Sequence, residues 1–111
     1  GKLQQVFLNL LLNGRDAMDE GGRLTVKTET TGSGVRAEVH DTGPGIPQEM
    51  LNRIFDPFFT TKAARRGTGL GLSISYGIVE EHGGQIMADS RPGEGAVFRL
   101  EFPAARKTVN A

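Results

Sequence analysis

The chain has 111 residues, enough for one domain with a core of its own. Hydrophobic residues make up 37% and charged residues 23%, as in an ordinary globular chain. Lys plus Arg number 13 and Asp plus Glu 13, and the resulting net charge of zero gives no support to a nucleic-acid or membrane-surface role. Cysteine is absent, which excludes disulfides and thiolate metal sites. No apolar run approaches a membrane span and the first residues do not read as a signal peptide.

Residues 2–19 read as a helix, because Leu3, Val6, Phe7, Leu10, Gly14, Ala17 and Met18 recur at helical spacing. Gly21-Gly22 stops it. Residues 23–31 alternate as a strand with Leu24, Val26, Thr28 and Thr30 on one face. Gly32-Ser33-Gly34 is a hairpin turn. Residues 35–41 form the return strand, with Val35, Ala37 and Val39 inward. A Gly/Pro loop fills 42–47, a short helix is expected within 47–54, and 55–68 reads as a long loop, which at that length is more often functional than idle. A second helix is expected over 69–82, with Leu70, Ile74 and Ile78 at four-residue steps, ended by Gly83-Gly84. Strands near 85–90 and 95–102 follow, joined by Arg91-Pro92-Gly93-Glu94. This order predicts an α/β (α+β) two-layer sandwich: helices cover one face of a mixed, mostly antiparallel sheet, with a long loop between the halves. The domain is expected over 1–103, with 104–111 a flexible C-terminal tail.

Four clusters carry candidate chemistry. On the first helix Asn9, Asn13 and Asp16 fall on one side and interrupt an apolar run. They are either polar residues hydrogen-bonded at a helix edge or ligands, since an amide oxygen suits Mg²⁺ beside phosphate oxygens. Asp41 follows the inward phase of its strand, so its carboxylate needs a partner. That partner is either a backbone N–H of the loop or a ligand donor such as the exocyclic amine of adenine. Gly43 and Gly45 beside it permit positive φ and close backbone approach, and Pro44 stiffens the loop.

The third cluster is Phe55-Asp56-Pro57-Phe58-Phe59-Thr60-Thr61-Lys62. Its phenylalanines are either core plugs or anchors of a lid that closes on a ligand. Lys62, Arg65 and Arg66 either reach phosphate oxygens or form a solvated face, the second reading being preferred for Arg65 and Arg66. The fourth is Gly67-Thr68-Gly69-Leu70-Gly71-Leu72, opening the second helix. Free N–H groups and the positive dipole end at such a start suit a triphosphate, and the alternative is a plain hinge. No Gly-Lys-Ser/Thr follows, so it is not a Walker loop, and no strand closely precedes it, so a dinucleotide fold is disfavoured.

Together, and in this order, the clusters resemble the nitrogen, first glycine, phenylalanine and second glycine boxes of the sensor histidine kinases. These share their ATPase fold with gyrase, mismatch-repair ATPases and heat-shock chaperones. The resemblance runs from about residue 3 to 103, and D-P-F-F-T-T-K with G-T-G-L-G-L is most like the nitrogen-regulation type. It implies an ATP-binding catalytic domain that transfers the γ-phosphoryl group to a histidine on a separate dimerisation domain, which in turn serves a response regulator. It implies that Asn13 binds Mg²⁺, with Asn9 assisting near the phosphates and Asp41 bonding adenine in a pocket shaped by Gly43 and Gly45. Phe58 and Phe59 would anchor the ATP lid, Thr61 and Lys62 begin it, and Gly67, Thr68, Gly69, Leu70 and Gly71 line the phosphate site. Lys62 joins Asn9 and Asn13 as a catalytic candidate. Relatives carry a further strand before the first helix, so this chain is expected to lack it.

Three departures bear on the chemistry. Asn9 stands where hydrolysing relatives carry a general-base Glu, which favours a kinase over a water-activating ATPase. Asp16 stands where many sensor kinases have a basic residue, and Gly95-Ala96 replaces Gly-Thr at the last strand. The two histidines, His40 and His82, lack the His-Glu-x-x-x-Pro context of a phosphoacceptor, so the chain alone is expected to bind ATP, turn it over slowly and not label itself. A protein-serine kinase of the anti-sigma-factor type is disfavoured by the phenylalanine box. A pure docking module is disfavoured by the intact Asn13, Asp41 and glycine loops.

Overall fold

The computed structural model describes residues 1–18, 20–57, 71–90 and 93–104. Helix α1, Lys2–Ala17, buries Val6, Leu10 and Gly14, a four-residue ladder on one side. The helix stops at Ala17, two residues short of the expected end, because Met18 leaves helical geometry with φ −112° and ψ 68°.

Strands β1, Leu24–Thr31, and β2, Gly34–Asp41, form an antiparallel hairpin that pairs Thr31 with Gly34. Strands β3, Gln85–Ser90, and β4, Ala96–Pro103, form a second one, and β4 also pairs with β2. The sheet order is β1-β2-β4-β3. All three described pairings are antiparallel, in line with the expected α+β sandwich on a mostly antiparallel sheet. Helix α2, Gly71–Glu81, separates the hairpins in sequence and returns the chain so that β4 docks beside β2.

The core lies between this sheet and the helices. Ala37 and Val39 of β2, Ala96, Phe98 and Leu100 of β4, and Ile86 of β3 meet Val6 and Leu10 of α1 and Ile78 and Val79 of α2. Strand alternation selects these residues, and burying each large side chain contributes about 1.5–3 kcal/mol.

Val35, expected inward, is not buried: it is 46% exposed, close to the hairpin turn. Val26 is 49% exposed on the edge strand β1. Ile74 is likewise 42% exposed. The buried face of α2 is set by Ser75, Ile78 and Val79, and Ile74 lies one position off it.

The short helix expected within 47–54 is a 3-10 turn, Gln48–Met50, followed by further turns that bury Ile54. Phe55 follows as a core plug, its ring 5.5 Å from Tyr76 and 6.4 Å from Phe98. Helices α1 and α2 run antiparallel, joined by Lys2–Glu81 at one end (3.5 Å) and by Asn9 at the other. The opposite sheet face carries a charge ladder. Arg36 lies between Glu29 (3.2 Å) and Glu101 (3.1 Å), and Glu38 between His40 (2.8 Å) and Arg99 (2.9 Å).

Candidate functional site

Asp41 ends β2 at the mouth between the sheet and α1, only 8% exposed. Its Oδ1 accepts the backbone N–H of Gly43 at 2.8 Å and that of Ala96 at 3.3 Å. Oδ2 has no hydrogen-bond partner among the described residues. The loop-cap reading of Asp41 thus has its partners on Oδ1, and these two bonds fix the carboxylate.

The backbone crowds around Asp41. A Cβ on Gly14 would meet Leu24 Cδ2 at 2.5 Å and Asp41 Cβ at 3.6 Å, so the residue after Asn13 lets α1 approach the strand closely. Gly95 has φ +88°, and a Cβ there would lie 2.0 Å from the Asp41 carbonyl oxygen. In the 42–47 loop only Gly45 uses positive φ (84°). Gly43, expected to share that freedom, is needed for space instead: its Cβ would meet Ala17 O at 3.0 Å and Asp41 Oδ1 at 3.2 Å.

This loop is fastened to the β3–β4 hairpin through Ser90, a residue that was not singled out from the sequence. Ser90 is 4% exposed, accepts the N–H of Ile46 at 2.6 Å and donates to Gly95 O at 3.0 Å. Its own carbonyl accepts from the Gln48 amide, and Gly93 N–H donates to Pro44 O at 2.8 Å. The available signal was the one that marked Asp41: a polar residue in the inward phase at a strand end, here after Ile86 and Ala88. Thr42 closes the other flank, its hydroxyl oxygen accepting Arg23 N–H at 2.9 Å.

On α1, the Asn9 amide nitrogen donates to Gly71 O at 3.4 Å and to Ser75 Oγ at 3.2 Å. Asn9 is thus drawn to the first turn of α2, where Gly71 closes the glycine cluster. Asn13, one turn on and half-buried, makes no side-chain hydrogen bond among the described residues. Asp16 is paired with Arg15 at 3.2 Å, which offsets its charge near this end of the helix. Helix α1 therefore meets α2 through Asn9 and Gly71, and meets Asp41 of β2 through Gly14, the residue after Asn13. Phe58, Phe59, Thr61, Lys62, Arg65, Arg66, Gly67, Thr68, Gly69 and Leu70 lie outside the described residues.

No group of three or more His, Cys, Asp or Glu that could hold a metal occurs among the described residues. A divalent cation would here draw on amide oxygens and on oxygens of its own ligand, the donor set that Mg²⁺ prefers with phosphates. Away from the site, Glu38 is held below its ordinary pKa by the hydrogen bond from His40 and then by that from Arg99. The second histidine, His82, has its Nδ1 2.8 Å from Ile78 O at the end of α2. No described helix is long and apolar enough to cross a membrane.

With this geometry in view, comparison with known proteins identifies the class. Residues 1–106 match the family model described as histidine kinase-, DNA gyrase B-, and HSP90-like ATPase, and the chain belongs to that family. Among particular relatives, it is 43% identical to the sensor kinase CckA of Brucella abortus (strain 2308), over 93% of this chain and 12% of that protein. It therefore spans about an eighth of that relative's length. Among solved structures, the catalytic domain of histidine kinase ThkA is 42% identical with a TM-score of 0.81, covering 95% of this chain and 69% of that one. ThkA has also been solved with the response regulator TrrA (39% identity, TM-score 0.76, 93% and 28% covered). Full-length ShkA in complex with AMPPNP is 33% identical with a TM-score of 0.82, covering 96% of this chain and 23% of that one.

Proposed function

We propose that this chain is the Mg-ATP-binding catalytic domain of a sensor histidine kinase, residues 1–103, that donates the γ-phosphoryl group to a histidine on a separate dimerisation domain. The observation that carries the reading is Asp41: one carboxylate oxygen of this largely buried residue is locked by two backbone N–H groups, and the other has no partner among the described residues. The adenine 6-amino group supplies such a donor. The AMPPNP bound to ShkA and the response regulator bound to ThkA support a nucleotide ligand and a phosphorelay partner for this chain.

In this reading Asp41 takes the base, and Gly43 and Gly45 let the loop backbone close on it. Asn13 offers its amide oxygen to Mg²⁺, and Asn9, one turn earlier, assists near the phosphates. Bound Mg²⁺ supplies charge neutralisation and orientation of the phosphates. Gly67, Thr68, Gly69, Leu70 and Gly71 present N–H groups at the start of α2, where the helix dipole favours phosphate. Phe58 and Phe59 anchor the lid, Thr61 and Lys62 begin it, and Lys62 reaches the phosphate oxygens. Transfer breaks the bond from the γ-phosphorus to its bridging oxygen as a bond to an imidazole nitrogen forms, and ADP leaves. The domain's contribution is positioning and electrostatics rather than covalent chemistry.

The acceptor histidine lies on the other domain. His40 is held by Glu38 on the sheet face remote from α1, and the His82 ring sits against its own helix end. Docking of that domain is supported by exposed apolar side chains at the helix pair. Leu8 (55% exposed) and Ile74 (42%) directly precede Asn9 and Ser75, which are bonded to each other, and Leu12 follows a turn later. The test is incubation with radiolabelled ATP, alone and with the histidine-bearing domain of the same kinase. The proposal expects label on the added domain only; label on this chain alone, or none on either, contradicts it.

A further inference from the structure

The carboxamide of Asn9 is oriented by its partners. Gly71 O can only accept, so the Asn9 nitrogen must be the atom facing α2, and Ser75 Oγ takes the same amino group. The amino group is thereby engaged with α2, and the oxygen is what the side chain has left to offer. Ser75 is fully buried, at 0% exposure, on the face of α2 otherwise made by Ile78 and Val79. A hydroxyl at such a position needs a partner, and Asn9 provides it.

We propose that Ser75 is a positioning residue for the nucleotide site: by holding the Asn9 amino group against α2, it fixes the Asn9 oxygen as the atom presented toward the metal–phosphate end. This rests on the proposed function above. The orientation matters because an amide oxygen attracts a divalent cation, whereas an N–H repels it. The same contact ties α1, which carries Asn13, to Gly71 at the exit of the glycine cluster.

The test compares the parent chain with Ser75→Ala, Ser75→Cys and Ser75→Thr. Cysteine keeps the side-chain size but is a weak acceptor, and threonine keeps the hydroxyl. ATP is titrated calorimetrically with Mg²⁺ and with chelator, and hydrogen exchange of the Asn9 carboxamide is followed by NMR. The expected result is a loss of about tenfold in Mg-ATP affinity for Ala and Cys, within the range of one lost polar partner. Affinity in chelator should stay near the parent's, Asn9 exchange should quicken, and Thr should recover the parent's behaviour. Equal losses with and without Mg²⁺ would mean a merely structural role and overturn the inference, as would unchanged Mg-ATP affinity in the Cys variant. If the parent itself binds no ATP, the functional reading fails first and this inference with it. The parent titration thus tells the two failures apart.

Discussion

The carboxylate of Asp41 accepts the backbone N–H of Ala96, 55 residues further along the chain, at 3.3 Å. That bond joins the last residue of β2 to the first of β4, and the same oxygen caps the turn at Gly43. A side chain proposed to recognise a base is thus also a structural cross-link, and the proposal gives the base the other oxygen.

Replacing Asp41 with Asn separates them. The amide oxygen still accepts from Gly43 and Ala96, but an amino group takes the place of Oδ2 and opposes the adenine amine. Loss of a charged hydrogen bond of about 1.5–3 kcal/mol corresponds to roughly 10- to 100-fold weaker ATP binding. Calorimetry should register that loss while the urea midpoint shifts little. A large fall in stability with unchanged affinity would reverse the assignment.

Gly95→Ala attacks the same place from the backbone side. The left-handed φ of 88° and the 2.0 Å approach to the Asp41 carbonyl leave no room for a methyl group. Destabilisation of about 2 kcal/mol or more is expected in urea unfolding, accompanied by weaker nucleotide binding.

Ser90→Ala leaves the Ile46 N–H without its acceptor and Gly95 O without its donor. Stability should fall by about 1–3 kcal/mol. Amide exchange at Ile46 should quicken before exchange in the middle of β4 does.

The charge ladder gives a pH signature independent of the nucleotide. Glu38 has its pKa depressed in the folded state, so its stabilisation is present above the unfolded value and is lost as pH falls through the folded one. Glu38→Gln should be less stable than the parent at neutral pH by roughly 1 kcal/mol or less. The gap should close below the ordinary value of 4.5 in a series of unfolding curves. A gap that stays constant into acid would show that the charge is not the cause.

Much of this was legible in the sequence because period and phase carry it. Val6, Leu10 and Gly14 announced the buried side of α1, and the alternation Ala37, Val39, Asp41 placed a carboxylate inward. Phase alone could not say where cover ends, so Val35 was expected inside although it is 46% exposed near the hairpin turn. Nor does a one-dimensional pattern show that Gly43 is needed for space rather than φ, or that Ser90 and Ser75 find partners 44 and 66 residues away. Those roles depend on long-range contacts between hairpin, loop and helices.

The central claim is that Asp41 reads adenine, and the most direct measurement is a calorimetric titration of the chain with ATP and with GTP in Mg²⁺. The free carboxylate oxygen meets an amino group on adenine and a carbonyl at the same position on guanine. ATP is predicted to bind at least about tenfold more tightly, the value of one charged hydrogen bond, and the preference should vanish in Asp41→Asn. Equal affinities for ATP and GTP in the parent, or no binding of either, would contradict the account.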